Sequence, residues 1–207
     1  EPNWAPPRPP PPRLDRALPR WASNPHNPTG ALAADPEADD RPRVWDEAFY
    51  PLATGRWTRG DARRGSWVVG SLTKLLACPG LRLGYVLAPS ADALAAVAAR
   101  QPRWAVNGLA CAALPELLDA VDLPAWSAAV AHHRARLVAV LRRHGFDPHP
   151  SAAPFVLVEA PGLRGRLAPH GVLVRDCASF GLEGVARVAV PNADGLDRLT
   201  AALDATG

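Results

Sequence analysis

Short apolar runs, each ending in a polar loop, are the main pattern of the first half of the chain. The runs predict β-strands, and they cover residues 14–22, 44–45, 66–70 and 81–87. The loops of interest follow the first three runs and cover residues 23–30, 46–50 and 71–80. In an open α/β sheet, ligands bind in the crevice beyond the carboxyl ends of the strands. We therefore expect an α/β fold in which these three loops converge.

The second half of the chain alternates between helical and strand patterns. Alanine-rich and amphipathic segments predict helices at residues 91–100, 109–120 and 122–145. Further along, apolar runs predict strands at 155–158, 172–174 and 185–190, with helices at 162–169 and 194–204. We expect a proline-rich arm over residues 1–13, a larger domain over 14–100 and a smaller α+β domain over 101–207.

Composition narrows the class of protein. Hydrophobic residues make up 48% of the chain and charged residues 21%, which is typical of a globular protein and excludes a disordered one. The net charge of +3 comes from scattered arginines, so we expect no nucleic-acid partner. No apolar run could span a bilayer, and Cys78, Cys111 and Cys177 lack metal-ligand spacing. We expect a cytoplasmic protein with no metal site, no disulfide and no membrane partner.

Lys74 is the only lysine, since every other member of the 23 Lys and Arg residues is an arginine. A lysine amine can lose its proton and attack a carbonyl to form a Schiff base, whereas a guanidinium stays protonated. Arginine-rich codon usage could also leave one lysine on the surface by chance. The residue count alone does not decide between these two interpretations, so the neighbouring residues carry the argument.

A lysine that binds a phosphorylated pyridine aldehyde needs three kinds of partner. Ser71 and Arg82, on either side of Lys74, could hold the phosphate with a hydroxyl group and a guanidinium. Asp46, at the end of a predicted strand, could keep the pyridine nitrogen protonated. Asn27, in a turn between two prolines, could donate a hydrogen bond to the phenolic oxygen. The sequence therefore contains a candidate for each requirement.

Three motifs in order carry a family resemblance. They are S-N-P-H-N-P-T-G at residues 23–30, D-E-A-F at 46–49, and S-L-T-K-x-x-x-x-P-G-L-R-x-G-Y at 71–85. Together they resemble the class I/II aminotransferases, which are fold-type I pyridoxal 5'-phosphate enzymes. The resemblance covers residues 14–207 and only the C-terminal part of the family. It implies the C-terminal half of a mainly parallel large-domain sheet, a smaller α+β domain and a homodimer.

The resemblance also implies roles for the candidate residues. Lys74 would bind pyridoxal 5'-phosphate covalently, Asp46 would contact its ring nitrogen and Asn27 its phenolic oxygen. Ser71 and Arg82 would be the phosphate ligands. Phe49 stands where many members have tyrosine, so a second donor to the phenolic oxygen is missing unless the neighbouring Tyr50 reaches it.

The second half resembles one branch of the family, which acts on phosphorylated amino acids. Residues 101–107, 174–182 and 186–190 resemble threonine-phosphate decarboxylases of cobalamin biosynthesis and the related histidinol-phosphate aminotransferases. Arg187 would then bind the substrate α-carboxylate and Arg175 the substrate phosphate. In the alternative interpretation, both arginines are solvated charges at strand ends. Pro191 departs from the basic residue of many relatives.

Three functions therefore remain open at the level of sequence. The first is decarboxylation of L-threonine O-3-phosphate, and the second is transamination of the histidinol-phosphate type. In the third, the chain is an inactive or partner-dependent fragment, since relatives carry a long segment before the loop at residues 23–30 that contributes to the cofactor pocket.

Overall fold

The computed structural model describes residues 19–35 and 41–206, which form two compact units. The first unit contains residues 19–27 and 31–129, and the second contains residues 28–30 and 130–206. The proline-rich arm expected over residues 1–13 lies outside the described residues, as does the beginning of the strand expected at 14–22. The domain boundary expected at residue 100 stays a prediction.

A four-stranded sheet forms the centre of the first unit. Its strands are β1 (Trp21–Ser23), β2 (Val44–Asp46), β3 (Trp67–Gly70) and β4 (Tyr85–Leu87), in that spatial order. The first three strands run parallel, and β4 is antiparallel to β3. The register pairs Ser23 with Asp46 and Asp46 with Val69, so the parallel strands end side by side.

Four helices of the first unit follow the strands. They are α1 (Tyr50–Thr54), α2 (Leu72–Leu75), α3 (Ala91–Ala98) and α4 (Gly108–Asp119). Ser90 and Asn107 begin α3 and α4 as N-caps, because their side-chain oxygens accept hydrogen bonds from Ala93 N at 3.1 Å and Ala110 N at 2.8 Å. A short 3₁₀ helix, Asp61–Arg64, precedes β3. The apolar core of this unit is built from Leu72, Leu75, Leu83, Ala110 and Leu123.

The second unit packs helices against a three-stranded antiparallel sheet. Its strands are β5 (Phe155–Glu159), β6 (Arg175–Asp176) and β7 (Val185–Ala189), in the order β5-β7-β6. The long helix α5 (Leu123–Arg143) begins in the first unit and ends in the second. Helices α6 (Leu163–Leu167) and α7 (Ala193–Asp204) complete this unit. Its core includes Leu137, Leu141, Val156, Val158, Leu167 and Leu199.

The expected α/β class is confirmed, and two predicted strands need correction. The strand expected at 81–87 begins only at Tyr85, because Leu83 bonds to Thr73 through both its N–H and its carbonyl group. Residues 172–174 form no strand. The Val172 N–H bonds to the Leu167 carbonyl and continues the turn after α6, so sheet pairing starts at Arg175.

Candidate active site

The carboxyl ends of β1, β2 and β3 form one edge of the sheet in the first unit. Hydrogen bonds continue the parallel pairing just beyond the strands, from Asn24 N to Asp46 O and from Glu47 N to Val69 O, both at 2.8 Å. Asp46 is the last residue of β2, and Ser71 directly follows β3. The three loops expected to converge therefore leave the sheet at adjacent positions.

The loop after β1 is folded on a buried asparagine. Asn24 is 1% exposed, and its Oδ1 accepts a hydrogen bond from Ala33 N at 3.0 Å. Asn27 is exposed, and its backbone N–H donates to Ser23 Oγ at 3.0 Å. Polar side chains thus fix the backbone of the turn, while Asn27 stays on the surface of the first unit.

Lys74 lies in α2, directly after β3, and contacts the turn after β2. Its Nζ is 5.1 Å from the centroid of the Phe49 ring, which is within the range of a cation–π contact. Both Lys74 and Asp46 are exposed. Asp46 Oδ1 accepts a hydrogen bond from Ala48 N at 2.9 Å, which keeps the carboxylate within its own turn. The amine and the turn that carries the carboxylate therefore lie next to each other.

Two further candidates flank Lys74. Ser71 occupies the N-cap position of α2 in an extended conformation, and its side chain makes no capping hydrogen bond. Arg82 is exposed, with a φ of 55° and its Nη1 donating to Pro79 O at 3.2 Å. The Thr73 hydroxyl ties the next residue to α2, because it donates to Leu83 O at 3.0 Å and accepts from Leu83 N at 3.1 Å.

Sequence reasoning missed a group of buried charged residues that begins directly after Asp46. Glu47 and Asp61 are both 0% exposed. Arg59 joins them, because its backbone N–H donates to Glu47 Oε1 at 3.2 Å and its Nε to Asp61 Oδ2 at 2.7 Å. The Arg59 guanidinium also lies 4.3 Å from the centroid of the Trp45 ring. The acidic residue directly after Asp46, in an otherwise apolar stretch, is the feature of the sequence that could have indicated this buried group.

Tyr85 packs directly on the end of β3. It is the register partner of Gly70, and a side chain at position 70 would collide with its ring. Its hydroxyl donates to Trp57 O at 3.0 Å. Burial raises the pKa of Tyr85 to about 12, with a further contribution from the negative charge of Glu47. The phenol therefore stays protonated and remains a hydrogen-bond donor.

The two expected substrate arginines lie in the second unit and face each other. Arg175 on β6 and Arg187 on β7 are direct register partners. Both guanidinium groups contact the Phe180 ring, at 5.5 Å for Arg175 and 5.8 Å for Arg187. Burial lowers the pKa of Arg187 from its ordinary value. Two like charges therefore lie side by side on the sheet, an arrangement that is destabilising by itself.

Cys78, Cys111 and Cys177 are free thiols. Among residues 19–35 and 41–206, no group of three or more His, Cys, Asp or Glu side chains could hold a metal ion. Within the same residues, no helix is long and apolar enough to cross a membrane.

The donor groups fit a phosphorylated pyridine aldehyde. The first unit presents an amine, a carboxylate and a hydroxyl group at one sheet edge, and Arg82 adds a guanidinium in the segment bonded to α2. The contact between Lys74 and Phe49 shows that the amine extends toward the turn that carries Asp46. An amine, a carboxylate and phosphate-binding groups are the kinds of group that such a cofactor needs.

A sequence profile named "Aminotransferase class I and II" matches residues 21–203. The chain belongs to this family. Its members are enzymes that depend on pyridoxal phosphate. The resemblance inferred from the three motifs is therefore confirmed, and so is the expected type of fold.

Similar proteins within the family carry two activities in their names. The chain is 34% identical over 202 residues to threonine-phosphate decarboxylase from Salmonella typhimurium, covering 86% of this chain and 55% of that protein. It is 32% identical over 209 residues to histidinol-phosphate aminotransferase from Halobacterium salinarum, covering 89% and 55%. The chain thus spans about half the length of the curated relatives it matches.

Solved structures agree with this placement. The crystal structure of L-threonine-O-3-phosphate decarboxylase from Porphyromonas gingivalis matches with a TM-score of 0.70 and 27% identity. This match covers 89% of the present chain and 63% of the other. Histidinol-phosphate aminotransferase from Clostridium acetobutylicum gives a TM-score of 0.78 at 24% identity, which supports the fold alone.

Proposed function

We propose that the chain binds pyridoxal 5'-phosphate through Lys74 and decarboxylates L-threonine O-3-phosphate to aminopropanol phosphate, as a step in cobalamin biosynthesis. The observation that carries the proposal is the position of the only lysine, whose Nζ lies 5.1 Å from the Phe49 ring in the turn that also holds Asp46. Asp46 pairs with the ring nitrogen, and Asn27 donates to the phenolic oxygen. Ser71 and Arg82 bind the cofactor phosphate.

Arg187 and Arg175 bind the two anionic groups of the substrate. In this proposal Arg187 takes the α-carboxylate and Arg175 the phosphate. Support comes from their register pairing on β6 and β7, which places two positive charges side by side. A guanidinium group binds carboxylates and phosphates through paired N–H donors. An amino acid that carries a phosphate ester offers two anions for this pair.

The chain's own residues determine which bond at the substrate Cα breaks. When bound, pyridoxal phosphate supplies an electron sink for the bonds at that carbon. Arg187 would hold the substrate α-carboxylate, and the bond at Cα that lies perpendicular to the cofactor ring would be the one that is weakened. In decarboxylation, Lys74 Nζ delivers a proton to Cα after carbon dioxide leaves. In transamination, the same atom removes the Cα proton.

The second candidate function is transamination of the histidinol-phosphate type, and the similarity to the Halobacterium salinarum enzyme favours it. Histidinol phosphate carries a phosphate, which Arg175 would bind, and Arg187 would bind the carboxylate of the 2-oxo acid that accepts the amine. We further propose that the chain acts as a homodimer, which sedimentation velocity at several protein concentrations tests directly.

Reductive trapping tests the cofactor assignment. The purified chain is incubated with pyridoxal phosphate, treated with sodium borohydride, digested and analysed by mass spectrometry. We expect the reduced cofactor on Lys74 in the wild-type chain and none at position 74 in Lys74→Arg, which keeps the charge but lacks the nucleophilic amine. Lys74 is exposed, so this variant should unfold at the same temperature as the wild type. Absence of label on Lys74 at saturating cofactor would favour the inactive or partner-dependent fragment.

Substrate assays then separate the two enzymatic candidates. Release of carbon dioxide from L-threonine O-3-phosphate identifies the decarboxylase, and amine transfer from histidinol phosphate that requires a 2-oxo acid identifies the aminotransferase. Arg175→Gln should weaken the preference for phosphorylated over unphosphorylated substrate by about tenfold or more, which is the value of a charge-assisted hydrogen bond. Arg164→Gln, an exposed change on α6, is the matched control. An unchanged preference in Arg175→Gln would contradict the assigned role.

A further inference from the structure

The carboxylate of Glu47 is buried one residue after Asp46, and the proposed chemistry does not use it. The residue is 0% exposed, and burial raises the pKa of its carboxyl group. Burying a carboxyl group costs free energy unless it makes hydrogen bonds. Glu47 Oε1 accepts one from Arg59 N at 3.2 Å, which joins Glu47 to a segment 12 residues further along the chain. One oxygen of this buried acid therefore has a specific partner.

The backbone of Glu47 builds the turn that carries the candidate site. Its N–H donates to Val69 O on the neighbouring strand at 2.8 Å, and its carbonyl accepts from Tyr50 N at 2.9 Å. Asp46 precedes Glu47, and Phe49, the residue in contact with the Lys74 amine, follows in the same turn. A shift of Glu47 would move the carboxylate and the aromatic ring together.

The segment bound by Glu47 is also attached to the end of β3. Trp57, two residues before Arg59, accepts the Tyr85 hydroxyl hydrogen bond through its carbonyl at 3.0 Å. The Tyr85 ring packs against Gly70, which directly precedes Ser71. Residues 57–59 thus connect the turn after β2 with the end of β3. We name this connection the 57–59 bridge.

We propose that Glu47 is a positioning residue that acts through the 57–59 bridge. It holds the turn carrying Asp46 and Phe49 in place relative to the strand end that carries Ser71 and Lys74. The inference rests on the proposed function, because it assigns Glu47 an effect on cofactor binding through Asp46. Glu47 itself stays buried and touches neither cofactor nor substrate.

Hydrogen exchange of the chain without cofactor tests the structural half of the proposal. In Glu47→Ala the Arg59 N–H loses its acceptor, so amides of residues 46–50 should exchange on the order of tenfold faster. Glu47→Gln keeps an oxygen acceptor of the same size and should stay within about twofold of wild type. Glu159→Ala, an exposed change in the second unit, is the control.

Tyr85→Phe provides an independent variant in case Glu47→Ala unfolds the whole first unit. It removes only the hydroxyl bond to Trp57 O, at the other end of the 57–59 bridge. Exchange of residues 46–50 should again increase, while the rest of the chain stays protected. Two results together would show that the 57–59 bridge does not position the turn. The exchange rates of residues 46–50 would be the same in Tyr85→Phe as in the wild type, and Glu47→Ala would not raise these rates more than those of the rest of the chain.

A double-mutant cycle on cofactor affinity tests the functional half. Dissociation constants for pyridoxal phosphate are measured by equilibrium dialysis in wild type, Glu47→Ala, Asp46→Asn and the double variant. If Glu47 acts through Asp46, Glu47→Ala weakens binding about tenfold in the wild-type background and less than about twofold beside Asp46→Asn. Equal effects in both backgrounds would overturn the positioning role.

The two measurements separate the failure of this inference from the failure of the proposed function. A wild-type chain that does not bind pyridoxal phosphate overturns the proposed function, and with it the effect assigned to Glu47 on the cofactor. The exchange measurement needs no cofactor and still decides whether Glu47 holds the turn. A wild-type chain that binds the cofactor, together with additive effects in the cycle, overturns the positioning role alone.

Discussion

A methyl group at position 70 would occupy the space of the Tyr85 ring. A Cβ built on Gly70 lies within 2.5 Å of the ring atoms Cζ, Cε1 and Cε2, where real Cβ atoms essentially never lie. In Gly70→Ala the ring must move, and its hydroxyl then loses the bond to Trp57 O. The lost hydrogen bond costs about 1 kcal/mol. Overpacking adds about 1–3 kcal/mol, so the free energy of unfolding should fall by about 2–4 kcal/mol.

Urea unfolding, followed by tryptophan fluorescence and circular dichroism, measures this loss. Gly80→Ala is the matched control, since nothing lies within 4 Å of a Cβ at position 80 and the glycine is exposed. Adding Tyr85→Ala to Gly70→Ala removes the collision, so the combined loss should be smaller than the sum of the two single losses. If Gly70→Ala unfolds at the same urea concentration as Gly80→Ala, or if the two losses add, the packing of Tyr85 on the end of β3 is not as described.

Two further predictions concern charged groups. Asp61→Asn removes the buried carboxylate bound by Arg59 Nε at 2.7 Å. The free energy of unfolding should fall by about 3–5 kcal/mol because the guanidinium loses the nearer of its two counter-charges, and Asp35 remains at 4.0 Å. A loss below about 1 kcal/mol in urea unfolding would contradict this. The Val140 carbonyl and the Asp204 carboxylate raise the pKa of His144. Protonated His144 therefore stabilises the folded chain fully below about pH 6.5, and this stabilisation is lost as the pH rises through the pKa of His144 in the folded state. Asp204→Asn should therefore lower the thermal midpoint near pH 6 and match wild type near pH 9, and a deficit equal at both pH values would rule out this linkage.

Much of the fold follows from local patterns. The apolar runs before Asp46 and Ser71 are strands, because each is a short β-branched or aromatic segment bounded by polar residues. Helix α5 begins as expected, with Asp122 Oδ1 accepting from Ala125 N at 3.0 Å. Such features depend on neighbours in sequence, so the sequence alone predicts them. The three motifs that carry the family resemblance are also short runs of neighbouring residues, so the family could be inferred from the sequence.

Other features depend on contacts between distant residues. The shortened β4 results from the bonds between Thr73 and Leu83, and no local pattern shows that a hydroxyl group will take the place of strand pairing. The burial of Glu47 involves a hydrogen bond to Arg59, which lies 12 residues away in the segment between β2 and β3. The roles assigned to the candidate site residues stay predictions, and the pairing of Arg175 with Arg187 adds an unpredicted contact between two of them.

The candidate residues at the sheet edge lie outside the apolar core. Asn27, Asp46, Lys74 and Arg82 are all exposed, and none belongs to the core of its unit. A library of substitutions at these positions, scored by cellular abundance, should therefore look almost neutral. The same library scored by growth that requires the chain to make the reaction product should be intolerant of substitution. Selection for a stable fold gives no reason to keep an amine at position 74, so only selection for chemistry would preserve the single lysine of this chain.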